Sequence, residues 1–246
     1  MADPSATDST RASGTDYLHN GSAGGPAVPG QGSRGIPRAP EPARTAPAKR
    51  GFEATDIALI AVFAALIAVL AIIPPLFAIG AVPFALQMIA VMAAPMILGS
   101  LRGGAAVGLY LVVGLLGLPV FAGQTSGPGV LLGASGGFLL GYFFGAFVAG
   151  ALATAVLRSR PRRSVLPILL YLVALVDMVV IYAFGVAGMM INAGMSLRVA
   201  VAANGLFLAV DLVKAVLVVI IAVAVFTAFP RLMPAPRRGL RAAAGD

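Results

Sequence analysis

The chain contains no cysteine and a single histidine, His19. Disulfides, thiolate metal sites and cysteine nucleophiles are thereby excluded. A histidine-based metal cluster or triad has nothing to be built from, because His19 stands alone in a polar stretch. Charge is scarce as well. Only 11% of the 246 residues are Asp, Glu, Lys or Arg, less than half of the roughly 25% usual in soluble domains. There is no Walker A sequence, so the chain cannot hydrolyse ATP on its own. Nor does it offer a haem-ligating histidine pair, a zinc motif, or the nucleophile–base or carboxylate–metal set that an intramembrane enzyme requires.

Apolar residues, by contrast, make up 59% of the chain, and its mean hydropathy is +0.97. This composition points to lipid as the main solvent. The net charge of +8 does not indicate nucleic-acid binding, because the basic residues sit in short clusters between apolar runs and no soluble domain remains to carry a basic face. Residues 1–50 are rich in Ser, Gly, Pro and Ala and poor in large apolar side chains. Such a segment cannot offset the entropy of ordering its backbone, so it is expected to be a disordered tail. It also lacks the apolar stretch of a signal peptide. Residues 51–233 are expected to form one membrane domain, and 234–246 a basic tail.

A membrane-crossing helix needs about 20 mostly apolar residues. Six candidates follow one another: Ile57–Ile73, ended by Pro74-Pro75; Ala81–Leu98, ended by the turn around Gly99–Gly103; the short Gly104–Leu118; Gly136–Leu157; Val165–Gly188; and Val199–Phe229. Charge supports this partition. Arg11, Arg34, Arg38, Arg44, Lys49 and Arg50 precede the first span, Arg102 follows the second, and Arg158, Arg160, Arg162 and Arg163 follow the fourth. Arg231, Arg237, Arg238 and Arg241 follow the sixth, whereas the loops on the other side hold only Arg198. Fifteen basic residues against one predicts six crossings with both termini in the cytoplasm. The expected fold is thus an all-α integral membrane bundle in the cell membrane.

Gly133, Gly137, Gly141, Gly145 and Ala149 recur every four residues. On a helix they form a stripe that lets a neighbour approach closely; the first members are alternatively loop backbone facing a ligand. Polar groups inside the spans are few. Asn204, Asp211 and Lys214 share one face of the sixth span, since seven and three residues separate them. A charge at a helix centre costs roughly 2.5–3.5 kcal/mol, so Asp211 and Lys214 are expected to face the bundle interior or a watered cavity. They either pair simply to fix packing or line a pocket for a small solute, for which Asn204 adds hydrogen-bonding capacity. Asp177 is placed near the start of the fifth span, within reach of water or a loop. The uncharged loop Pro119–Ser135 is long enough to cover a pocket mouth, with Gln124, Thr125 and Ser135 as candidate lining groups; the alternative is a plain surface connection.

Four segments carry a family resemblance: "GAVPFALQ" at Gly80–Gln87, "ILGSLRGGAAVGLYLVVGLLGLPVFAG" at Ile97–Gly123, "LLGASGGFLLGY" at Leu131–Tyr142 and "DLVKA" at Asp211–Ala215. With the six-span layout they resemble the BioY family, the biotin-binding S components of energy-coupling-factor (ECF) vitamin transporters, over about residues 55–230. One departure is Gly133-Ala134-Ser135-Gly136-Gly137-Phe138, where the family usually reads Gly-Pro-Thr-Gly-Gly-Tyr. Serine keeps a hydroxyl, but the lost proline loosens the loop.

The resemblance implies a six-helix protein that captures biotin from the outer side and has no cofactor. Asp211 and Lys214 would line the site, one facing the ureido ring and the other pairing with it or favouring the valerate carboxylate. The implied partners are a membrane coupling subunit and two cytoplasmic ATPases. They would dock on small residues of the first helix, here Ala61 and Ala65, or Ala64 and Ala68. An S component for another small vitamin and a purely structural membrane protein are the competing readings.

Overall fold

The computed structural model describes residues 53–73, 78–79, 82–83 and 86–235. The tail expected over 1–50, most of the basic tail over 234–246 and half of the Gly80–Gln87 segment lie outside the described residues. Five long helices dominate: α1 (Ala54–Ile72), α2 (Gln87–Leu115), α3 (Gly136–Ser159), α4 (Leu166–Ala193) and α5 (Leu197–Ala228). All belong to one compact unit, Lys49–Asp246. Between α1 and α2, β1 (Ala78–Ile79) and β2 (Val82–Pro83) pair antiparallel. Among the described residues, five helices are long and apolar enough to cross a membrane.

The expected second and third spans form one helix in sequence but two in space. Gly99 breaks α2 with φ 80° and ψ −179°, a conformation that glycine adopts without a Cβ clash. The chain then folds back on itself. The side-chain amide of Gln87 reaches the Tyr110 hydroxyl at 2.8 Å across 23 residues, which a continuous helix would hold roughly 35 Å apart. A Cβ on Gly103 would overlap the backbone of Pro95, so the arms 87–98 and 100–115 touch directly beside the tip. The sequence placed a turn over Gly99–Gly103; the break is confined to Gly99, and helix resumes at Ser100.

The first arm is buried on every side, from Gln87 through Leu98, which accounts for its apolar run without a polar face. Around it α2, α3, α4 and α5 close a ring, α5 returning to α2, while α1 flanks α2 from outside. The core combines Met92 and Met96 of the first arm with Tyr110, Leu170, Ile181, Val218 and Phe226. The outer faces are apolar too: Val62, Val179, Ile191 and Val213 are all more than 60% exposed, as expected of surfaces solvated by lipid.

The glycine stripe is a helix–helix seam where it is helical. Gly137 lies on the backbone of Phe184 and Gly188, Gly141 on Ile181 and Gly145 on Asp177, so α3 and α4 run antiparallel at close range. Gly133 precedes the helix and caps a short 3-10 turn, Pro128–Leu132. At the tip of the α2 hairpin, Arg102 pairs with Asp56 of α1 at 2.9 Å. Arg158 and Arg231 line the same end of the bundle, whereas Arg198 begins α5 at the other.

Candidate functional site

Asp211 and Lys214 lie one turn apart on the inward face of α5 and form an ion pair of 2.8 Å, with side chains only 8% and 4% exposed. Tyr182 of α4 donates its hydroxyl proton to the other carboxylate oxygen of Asp211 at 2.5 Å. A pair this dry contributes little net stability compared with apolar packing; what distinguishes it is that it borders a cavity. That cavity measures about 200 Å³, and its polar lining is Gln87, Tyr142, Tyr182, Asn204, Asp211 and Lys214, with Met88, Phe138 and Phe207 as apolar walls. A second, almost wholly apolar groove of about 430 Å³ runs between α4 and α5 and shares Tyr182 and Asn204 with it.

The polar groups are held by their neighbours. Asn204 donates to the Ala200 carbonyl at 2.8 Å and to the Met189 sulfur at 3.3 Å. Gln87 donates to Tyr110, whose ring stacks edge-on against Phe121. Phe138 meets Tyr182 edge to face with centroids 6.4 Å apart. Both N–H groups of Asn204 and one of Gln87 are used in this way, and Gln87 Oε1 and Asn204 Oδ1 have no hydrogen-bond partner among the described residues. A carboxylate also offers more lone pairs than its two bonds here use. The site therefore presents several acceptors beside an apolar wall, together with the Tyr142 hydroxyl and the Lys214 ammonium. It suits a small ligand with N–H donors and a hydrocarbon body.

Asn204, Asp211 and Lys214 are thus brought together as their spacing predicts. Asp177 is not with them. It is the twelfth residue of α4 and not near its start, it is 1% exposed, and it faces Gly145 in the α3–α4 seam. Its Oδ1 has no hydrogen-bond partner among the described residues. Gln124, Thr125 and Ser135 are exposed and line neither space. The loop that carries them is tied at its far end by Asn192, whose amide donates to the Leu131 and Gly133 carbonyls at 2.8 and 3.0 Å. On α1, Ala61 and Ala65 face outward, while Ala64 is buried and Ala68 half-buried against the bundle.

Gln87, Tyr142 and Tyr182 line the cavity without having been singled out from the sequence. The usable signals were a lone amide in an apolar run for Gln87 and, for Tyr142, a position one helical turn after Phe138. For Tyr182 the sequence offers no local signal, since its partner Asp211 lies 29 residues away.

A family model described as the BioY family matches residues 43–231. A biotin transporter BioY of Rhizobium etli is 35% identical over 183 residues, covering 73% of this chain and 97% of that protein. A second, from Rhodobacter capsulatus, is 36% identical over 179 residues, covering 68% and 90%. Among solved structures, the S-component for biotin from an ECF-type ABC transporter superposes with a TM-score of 0.64 at 25% identity, covering 73% of this chain and 96% of that one.

Proposed function

The chain belongs to the BioY family, and on that premise we propose that it captures biotin and takes it up as the substrate-specific subunit of an ATP-driven transporter of the ECF type. The observation that carries this reading is the acceptor-rich cluster of Asp211, Asn204 and Gln87 set in an apolar bundle. Biotin's ureido ring brings two N–H donors and one carbonyl, and its thiolane and valerate chain are largely apolar. Asp211 accepts from the ureido N–H groups, with Gln87 Oε1 or Asn204 Oδ1 as a second acceptor, while the ammonium of Lys214 offsets the charge of Asp211 and faces the ureido carbonyl. The polar cavity, at about 200 Å³, falls below the roughly 300–1,000 Å³ of typical small-molecule sites. The adjoining α4–α5 groove supplies the missing room for the apolar chain.

The protein crosses the membrane six times in this reading, the two arms of α2 counted separately, with both termini in the cytoplasm. The gathering of Arg102, Arg158 and Arg231 at one end, against Arg198 at the other, supports that orientation. ATP hydrolysis comes from two separate cytoplasmic ATPases through a membrane coupling subunit. That subunit docks on the outward-facing pair Ala61 and Ala65, because Ala64 and Ala68 are occupied by intramolecular packing.

Calorimetric titration of the detergent-purified protein with biotin, with riboflavin and thiamine as controls, tests the proposal. One-to-one saturable heat with biotin alone is the expected outcome. Folded protein giving no heat with biotin refutes it, and saturable heat with a control vitamin instead would reassign the substrate.

A further inference from the structure

The end of the bundle that carries the α2 hairpin tip holds a cavity of about 620 Å³, remote in the fold from the site on α5. Three separate elements bring an arginine to it: Arg102 from the start of the second α2 arm, Arg158 from the last turn of α3, and Arg231 from the segment after α5. Asp56 neutralises Arg102 at 2.9 Å. Neither Arg158 nor Arg231 pairs with a carboxylate among the described residues. Helix ends add opposing contributions. The second arm points its first N–H groups toward this end, whereas the first arm and α3 end here with carbonyls. Such termini act as roughly half-charges, so the guanidinium groups of Arg158 and Arg231 set the sign and make the cavity electropositive.

Large apolar side chains are exposed at the same end of the bundle. Leu101 and Met233 line the cavity and are 69% and 38% exposed, and Phe229, two residues before Arg231, is 62% exposed. Cationic groups in the lining together with exposed large apolar side chains in and beside it match an amphiphile, not a fully hydrated ion. We propose that this cavity holds the phosphate of an anionic phospholipid, with Arg158 and Arg231 as the main ligands, Arg102 as a third donor, and the acyl chains lying over Leu101 and Phe229. Guanidinium forks fit phosphate oxygens in pairs, and basic pockets between membrane helices are suited to anionic headgroups. The inference requires only that the bundle sits in a bilayer and is independent of what the α5 site binds.

The test is native mass spectrometry of the full-length chain in detergent with short-chain phosphatidylglycerol, phosphatidylcholine of equal chain length, and inorganic phosphate. One phosphatidylglycerol should bind per chain in preference to phosphatidylcholine, with inorganic phosphate competing poorly. Each arginine near the membrane surface contributes roughly fivefold to anionic-lipid affinity, so Arg158→Gln/Arg231→Gln should weaken binding about 25-fold. The control Arg162→Gln/Arg163→Gln removes the same charge from exposed positions outside the cavity and should change it less than fivefold. Equal loss in both variants would mean general attraction to a basic surface and would overturn the proposal, as would equal binding of the two lipids. Competition by inorganic phosphate as strong as by lipid would make this a free-phosphate site and overturn the lipid assignment. If the double variant does not fold, Arg231→Gln alone supplies the comparison, and the preference between lipids is read on the unmodified chain in any case.

Discussion

Replacing the buried ion pair one residue at a time and then together separates its two conceivable roles, packing and ligand binding. Lys214 is 4% exposed and Asp211 8%, so neither regains full hydration when the ion pair is broken. Removing one member of such a pair typically costs about 3–5 kcal/mol, whereas exchanging both for apolar residues of similar volume is often neutral or stabilising. Asp211→Asn should therefore lower the apparent Tm in detergent by about 10 °C, taking roughly 2–4 °C per kcal/mol for a chain of this size. The double variant Asp211→Leu/Lys214→Met should recover to within about 1 kcal/mol of the parent. Biotin affinity should not recover with stability. Each charge-assisted hydrogen bond contributes about 1.5–3 kcal/mol, so both variants should bind at least roughly tenfold more weakly, and the stable double variant should show no saturable heat. Thermal unfolding followed by calorimetry on the same samples gives both readings. A stable double variant that binds biotin like the parent would refute the ligand role and leave the pair a packing device. A single Asp211→Asn variant as stable as the parent would refute the premise that the pair is dry.

Tyr182→Phe removes one hydrogen bond to Asp211 while keeping the ring against Phe138; biotin titration should show a loss of about twofold to tenfold, from roughly 0.5–1.5 kcal/mol. Gly145→Val places methyl groups on Asp177 in the α3–α4 seam, and overpacking of this kind should cost about 1–3 kcal/mol in thermal unfolding. Gly99→Ala puts a Cβ where φ is 80°, so it should destabilise by roughly 1–2 kcal/mol, read in the same assay. Ala61→Leu/Ala65→Leu changes only an outward face of α1; it should leave biotin titration unchanged but abolish co-purification with the coupling subunit and ATPases proposed above.

Much of the architecture was legible because membrane helices announce themselves as long apolar runs. The expected Gly136–Leu157 begins where α3 does, and Val199–Phe229 lies within two residues of α5 at each end. The α2 hairpin was legible as two segments, but its tightness was not, since nothing local shows that Ser100 and Arg102 already belong to the second arm. In the site, Asn204, Asp211 and Lys214 could be grouped because they lie on one helix, where spacing fixes the face. Tyr142 and Tyr182 escaped because tyrosine counts as apolar in a hydropathy reading, and their meeting with Asp211 depends on three helices. Asp177 stands apart: it lies in the α3–α4 seam and lines neither the cavity nor the groove. The Gly133–Ser135 loop, where the chain departs from the family's usual pattern, presents Ser135 outward.

The α3–α4 seam also determines where this protein has freedom to diverge. At Gly137 and Gly141 the two backbones meet, and at Gly145 the Asp177 carboxylate lies against the helix, with no room for a single added carbon at any of the three, so a larger residue at these positions forces the helices apart. The α4–α5 side meets through side chains: Asn204 reaches Met189, Tyr182 reaches Asp211, and an added carbon on Gly205 would meet open space. Residues there can lengthen, shorten or exchange polar groups while the seam keeps the scaffold in register. A lineage can thus revise what the pocket accepts by rewriting α5, without renegotiating the bundle that holds it.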